Sequence, residues 1–208
     1  MPFSILATGF VAGLALIVAI GAQNAYVLRI GLSAKTGTVT AVVLVCAVSD
    51  TALIAAGIAG IGALTELAPP VLVVLRLAAI VFLLVYGALS LRRALRSPET
   101  LEAANASPPR LWPAVLTVLA FTWLNPHVYL DTVLFLGSIG NQFGDQRWWF
   151  WLGAAAGSWA WFLALGFGAR ALRPLFAKPW TWRVLDALIA LIMLVLATVL
   201  IVELVHGA

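Results

Sequence analysis

Two carboxylates, Asp50 and Asp131, stand in strongly apolar surroundings. Asp50 lies near the middle of one apolar run, in Ala47-Val48-Ser49-Asp50-Thr51, and Asp131 follows Asn125 by six residues in another. A carboxylate at the centre of a membrane helix costs roughly 2.5 to 3.5 kcal/mol on insertion scales, so it must face a cavity, a partner or water. An internal ion pair, for example with Arg76, is one way to meet that cost. Two such groups in one small chain favour the other way, a site for something cationic.

Polar segments accompany both carboxylates. Gly21-Ala22-Gln23-Asn24-Ala25 and Asn125-Pro126-His127-Val128-Tyr129-Leu130-Asp131 each interrupt an apolar run, at similar places in the two halves of the chain. Pro126 removes a backbone donor and clashes with the preceding turn, so it breaks or kinks its helix. Backbone groups freed in lipid need partners from protein, water or a bound solute. Half-helix N-termini attract anions and carbonyl ends attract cations, and paired interruptions of this kind are the sequence sign of a binding site between inverted repeats. Gln23, Asn24 and Asn125 are therefore candidates to bind the head of a small zwitterion or to stabilise the breaks. Tyr129, His127, Ser49, Trp159 and Trp161 are candidates to line the cavity, and His127 shares a helical face with Asp131 through its i, i+4 spacing. Arg76 and Asp186, near the starts of their runs, read as structural or gating charges on opposite membrane faces.

The elements that must hold these residues are membrane helices. Of 208 residues, 63% are hydrophobic and 10% charged, against about 25% charged in a soluble domain. Six apolar runs approach or exceed the ~20 residues needed to span a bilayer, at 4–28, 38–64, 70–91, 111–139, 148–172 and 183–205. Ten of the twelve Lys and Arg residues (Arg29, Lys35, Arg92, Arg93, Arg96, Arg110, Arg170, Arg173, Lys178 and Arg183) cluster at the first, third and fifth gaps, which makes those gaps cytoplasmic. Both termini then face outward, or the N-terminus inward if the first run does not fully span. Trp112, Trp148, Trp149, Trp151, Trp180 and Trp182 read as interfacial belts, and Glu203 and His206 as solvated residues at the last membrane edge. The expected fold is an all-α integral membrane protein of about six transmembrane helices. Two inverted three-helix repeats, 1–91 and 111–208, are joined by a cytoplasmic linker at 92–110. Weak internal matches agree: Asn24 with Asn125, Ser49 with Ser158, and Val74-Leu75-Arg76 with Val184-Leu185-Asp186.

Several classes are excluded. The net charge of +4 is distributed over the gaps rather than gathered into a patch, so no nucleic-acid partner is expected. Cys46 is the only cysteine and cannot make a CxxC redox pair. No HExxH, P-loop, GxSxG or haem-attachment motif is present, so no metal or other cofactor is expected. An intramembrane aspartyl enzyme using Asp50 and Asp131 as a dyad is one alternative, but its Gly-x-Gly-Asp pattern is missing. A channel or assembly subunit is another. The first run lacks a basic leader and is longer than a signal-peptide core, which marks it as a retained helix.

At the level of motifs, Gly21-Ala22-Gln23-Asn24-Ala25-Tyr26-Val27-Leu28-Arg29 resembles the N-terminal signature of the LysE/ArgO exporters of basic amino acids. Asn125-Pro126-His127-Val128-Tyr129-Leu130-Asp131-Thr132 with Gly137-Ser138-Ile139-Gly140 is similar to their second, more specific signature. The resemblance covers essentially the whole chain, and Asp50 and Asp131 match the two intramembrane acidic positions of that branch. The family's first motif often has proline where this chain has Ala22, which favours a straighter first break here. The resemblance implies a secondary transporter in the bacterial cytoplasmic membrane that exports L-arginine or L-lysine, without choosing between them. Export of a neutral amino acid or of a metal cation is the alternative within transporters; the first needs no side-chain carboxylate, and the second wants more ligands than His127 supplies. The sequence leaves a homodimer open.

Energetics adds a coupling expectation. A cation leaving a cell moves against an inside-negative potential, at about 2.3 kcal/mol per charge per 100 mV. Exchange for one entering proton cancels that charge, and a carboxylate can hold either a proton or a cationic cargo; sodium coupling stays open. The topology gives the first test. A cysteine placed at Ala103 in a Cys46→Ala background should resist impermeant thiol reagents added outside intact cells and react once the membrane is opened. Labelling from outside would contradict a cytoplasmic linker.

Overall fold

A computed structural model describes residues 2–18, 21–59, 69–95, 109–125 and 128–206. Almost all of them are helical, and no strand occurs among them. The elements are α1 (Pro2–Ile17), α2 (Ala22–Ser33), α3 (Thr36–Ile58), α4 (Pro69–Ala94) and α5 (Leu111–Trp123). They are followed by α6, which is π-helical over Tyr129–Leu136 and α-helical over Gly137–Asn141, then α7 (Arg147–Gly168) and α8 (Pro179–His206). Short 3-10 turns at Ala169–Leu172 and Leu175–Ala177 connect the last two.

Among the described residues, three helical segments are long and apolar enough to cross a membrane: Thr36–Ile58, Gly144–Leu172 and Trp180–Val202. The bent pair α1 and α2 makes a fourth when taken as one span. The 26 residues of α4 extend ~39 Å at 1.5 Å per residue. Large apolar side chains are exposed along α4 (Val81, Val85, Leu89) and α8 (Val184, Leu191, Val195, Val202). Such faces suit a lipid solvent, and the chain is a multi-pass, all-α membrane protein.

The two expected interruptions are present in different forms. The axes of α1 and α2 lie 83° apart, so Ala22 does not straighten the first break. Gly21 supplies the turn instead, as an extended N-cap (φ −120°, ψ −179°) that no helix can pass through. In the second, α5 ends at Trp123 and the chain resumes as a π-helix carrying Asp131. Pro126 and His127 lie outside the described residues, as do 96–108 of the expected linker and the side chains of Arg76, Glu203 and His206. Arg92 and Arg93, assigned to the linker from the sequence, belong to the last turn of α4. The final helix starts at Pro179, four residues before the expected edge of its run.

The packing has a reciprocal pattern. Helix α3 packs on α5 and α6, α7 packs on α1 and α2, α3 meets α7, and α4 pairs with α8. Exchanging the first half of the chain with the second leaves these pairings unchanged. Glycines make several of the contacts close, α1 against α7 among them, where a Cβ on Gly9 would strike the carbonyl of Phe150. A Cβ on Gly57 of α3 would strike the backbone of Val133 in α6, and one on Gly137 would strike Gly57 itself. Reciprocally, a Cβ on Gly31 of α2 would strike the carbonyl of Gly166 in α7. The Gly57 contact seats α3 against α6 about two turns from Asp50 on α3 and, at Val133, two residues from Asp131 on α6.

Overpacking of this kind typically costs ~1–3 kcal/mol. Gly57→Val should lower the thermal midpoint of the detergent-solubilised protein by several degrees, whereas Gly168→Ala, with nothing within 4 Å of its added carbon, should leave it within a degree or so. Fluorescence-detected size exclusion after a temperature ramp reads both.

Candidate functional site

A cavity of about 300 Å³ lies where the two breaks meet. Gly21, Ala22, Gln23 and Asn24 from the start of α2, Asp50 from α3, Asn125, Val128, Asp131 and Thr132 around the second break, and apolar Leu16, Ile17, Phe162 and Leu196 form its wall. Five residues singled out in the sequence, Gln23, Asn24, Asp50, Asn125 and Asp131, thus share one space. Tyr129 does not line it; its hydroxyl donates to the carbonyl of Trp123 at 2.8 Å, tying the π-helix back to the end of α5.

The two carboxylates occupy different environments. Asp50 is 4% exposed, and its Oδ2 accepts a hydrogen bond from the buried Ser158 hydroxyl of α7 at 2.9 Å. Asp131 is exposed and borders the same cavity. The π-helix matters here because its wider turn rotates successive side chains differently from an α-helix, and such segments recur at functional sites.

The first break is held by Asn24. Its Nδ2 donates to the Ile17 carbonyl at 2.6 Å, and its Oδ1 accepts from the Trp161 indole at 3.2 Å. Ile17 is the last residue of α1, and terminal carbonyls have no partner inside their own helix. One amide therefore bridges α1 to α2 and both to α7. Gln23 differs: its Nε2 is buried with no hydrogen-bond partner among the described residues. It sits in the first turn of α2, where the N–H groups of Ala22 and Gln23 precede the first intrahelical bond, Ala25 N–H to Gly21 O. This helix start borders the cavity, so donors and the positive end of a helix dipole face its interior.

Tryptophans turn inward more than the sequence suggested. Trp123 donates to Ser49 Oγ, Trp159 to Thr51 Oγ1 and Trp151 to the Thr51 carbonyl, at 3.2, 3.1 and 3.0 Å. Trp151, expected in an interfacial belt, is instead half-buried against α3. Trp182 leaves the belt as well: it donates to the Phe176 carbonyl at 2.8 Å, and its ring lies under Arg29. Trp112, Trp148, Trp149 and Trp180 remain exposed. Asp186 is far from a lone edge charge. It is fully buried and paired with both Arg29 and Arg93.

Comparison with known proteins gives the framework its family. The LysE type translocator family matches residues 14–204. The chain belongs to this family. It is 45% identical over 185 residues to a Mycobacterium tuberculosis protein that bears the name "Putative amino-acid transporter", covering 89% of this chain and 90% of the relative. It is 36% identical over 229 residues to the lysine exporter LysE of Corynebacterium diphtheriae, covering 96% and 100%. It is 40% identical over 186 residues to the arginine exporter protein ArgO of Yersinia enterocolitica, covering 89% and 90%. No solved structure matches the chain. Membership of a translocator family removes the enzyme alternative: the cavity is part of a transporter.

Ser158, which the sequence marks only as a repeat match, is the hydrogen-bond partner of Asp50. A hydrogen bond to a charged group contributes ~1.5–3 kcal/mol, so Ser158→Ala should lower transport by about tenfold or more without loss of protein from the membrane. Amino-acid export from cells carrying either protein is the assay; wild-type export by a normally inserted Ser158→Ala protein would remove Ser158 from the site.

Proposed function

We propose that this LysE-family translocator exports a basic L-amino acid, arginine or lysine, from the bacterial cytoplasm in exchange for an entering proton. The observation that carries this reading is one cavity bordered by two acidic side chains from different halves and by the donor-rich start of α2. A basic amino acid has matching ends. Its cationic side chain meets Asp50 and Asp131, and its α-carboxylate meets the Gln23 amide and the α2 N-terminus, where an anion is favoured by dipole and unused N–H groups together. Asn125 contacts the α-ammonium group, while Asn24 keeps the break in place. The relatives' names, lysine exporter and arginine exporter, support the cargo class.

The fold in this reading is six spans in two inverted repeats, 1–91 and 111–208. α1 with α2 and α5 with α6 are the corresponding broken spans, and the Arg-rich loops, including the central one, lie in the cytoplasm. The reciprocal packing supports the repeat. Alternating access then moves one half against the other around the cavity.

The coupling follows from charge. Outward movement of a monovalent cation alone opposes the membrane potential, whereas exchange for one proton is electroneutral. A proton and the cargo cation compete for the same carboxylates, so neither needs a separate site. Two experiments test the two layers. In counterflow with labelled arginine, Asp50→Asn and Asp131→Asn should each reduce exchange at least about tenfold, since each removes a charge-assisted contact at constant volume; wild-type exchange by both would remove the carboxylates from cargo binding. In sodium-free liposomes, an imposed pH gradient should drive arginine uphill with protons moving oppositely. Uphill transport that needs sodium and ignores pH would replace the proton with sodium.

A further inference from the structure

We propose that α2 is the gate helix on the Arg-rich face of the protein, held shut by Arg29 and Arg93 on Asp186 and by a layer of aromatic rings between that lock and the cavity. The proposal rests on the export reading only for the direction of the gate, which it puts at the cytoplasmic entrance.

The residues of α2 are arranged in sequence from site to surface. Gln23 borders the cavity, Tyr26 stands one turn on, and Arg29 one turn beyond that. Six residues of helix separate the first from the last, ~9 Å along the axis. Tyr26 meets Tyr86 of α4 and Phe121 of α5, with ring centroids 6.0 and 5.7 Å away. Phe121 also contacts Tyr86 and Phe82, at 5.0 and 4.9 Å. Phe121 lies one turn before Asn125, so this layer, buried at Tyr26 and Phe121, adjoins the cavity wall.

The ionic lock follows the aromatic layer. Asp186 of α8 is fully buried, and its Oδ1 accepts from the Arg29 guanidinium of α2 and from Arg93 Nε of α4, the latter at 3.0 Å. Arg93 also donates to Ser90 at 2.7 Å and lies over the Tyr86 ring at 5.5 Å, which links the lock to the aromatic layer. Arg29 lies over Trp182 of α8 at 5.7 Å. Helices from both halves of the chain therefore close on one carboxylate.

The chemistry suits a latch better than a staple. A buried ion pair repays its desolvation only when the remaining lone pairs are also satisfied. Here Oδ1 serves two cations while Oδ2 has no hydrogen-bond partner among the described residues. Such a pair adds little net stability over an apolar isostere, and its charges part at small cost only where water or cargo entering beside α2 solvates them in exchange. Because α2 also carries the Gln23 donors, its displacement changes the site and opens the entrance together.

Accessibility tests this without any substrate. Val128→Cys in a Cys46→Ala background reports on the cavity, labelled by an impermeant methanethiosulfonate from the cytoplasmic side of inside-out vesicles. Asp186→Asn, Arg93→Gln and Tyr26→Ala should each speed labelling about fivefold or more, the lower end of ordinary conformational coupling, while Asp186→Glu stays near the parent rate. The parent rate in a monodisperse Asp186→Asn or Arg93→Gln protein would overturn the proposal. Loss of folding in all three would also overturn it, by making the cluster a structural staple. Failure of arginine counterflow with the labelling pattern intact would instead sink the cargo reading and leave the gate standing.

Discussion

Taking a carboxylate out of water inside a bilayer costs several kcal/mol, and the arrangement around Asp50 is organised by that cost. Asp50 is buried at mid-helix in α3 and held by Ser158 of α7. Its remaining needs are met by the cavity, so the cavity has to be polar, which requires interrupted helices. The interruptions in turn release backbone groups that must find partners. Asn24 satisfies the end of α1, Tyr129 satisfies the end of α5, and inward-turned indoles of α7 satisfy the polar face of α3. One costly side chain thus accounts for much of the polar structure in the interior.

Close helix contacts make that structure fixed rather than fluid. In lipid there is little hydrophobic force between helices, so small residues that let backbones approach provide the packing energy. The Gly57 and Gly31 contacts bring α3 to α6 and α2 to α7, pairings that exchange when the halves are exchanged. Helix α2 therefore packs on α7, and α6 on α3.

Much of this was legible in the sequence because membrane burial imposes strong patterns. The apolar runs gave the helices, the polar interruptions gave the breaks, and mid-run carboxylates with neighbouring amides gave the residues that share the cavity. The remainder depended on tertiary contacts without a linear signature. Nothing in Tyr129-Leu130-Asp131 distinguishes a π-helix from an α-helix, and the i, i+4 argument for His127 assumed the latter. Trp151 and Trp182 have the composition of interfacial residues, and their inward hydrogen bonds depend on where Thr51 and Phe176 arrive in space. In the sequence Arg29 and Arg93 carry only a topology signal, since their meeting with Asp186 joins positions 157 and 93 residues apart.

The central claim is that the cavity selects a cation through two carboxylates brought from different halves of the chain. Equilibrium binding of labelled arginine to the purified protein, with competition by arginine and by its uncharged isostere citrulline, tests it most directly. The account predicts displacement by arginine but not by citrulline at the same concentrations, and loss of binding in the Asp50→Asn, Asp131→Asn double variant. Equal competition by citrulline, or undiminished arginine binding by a folded double variant, would contradict it.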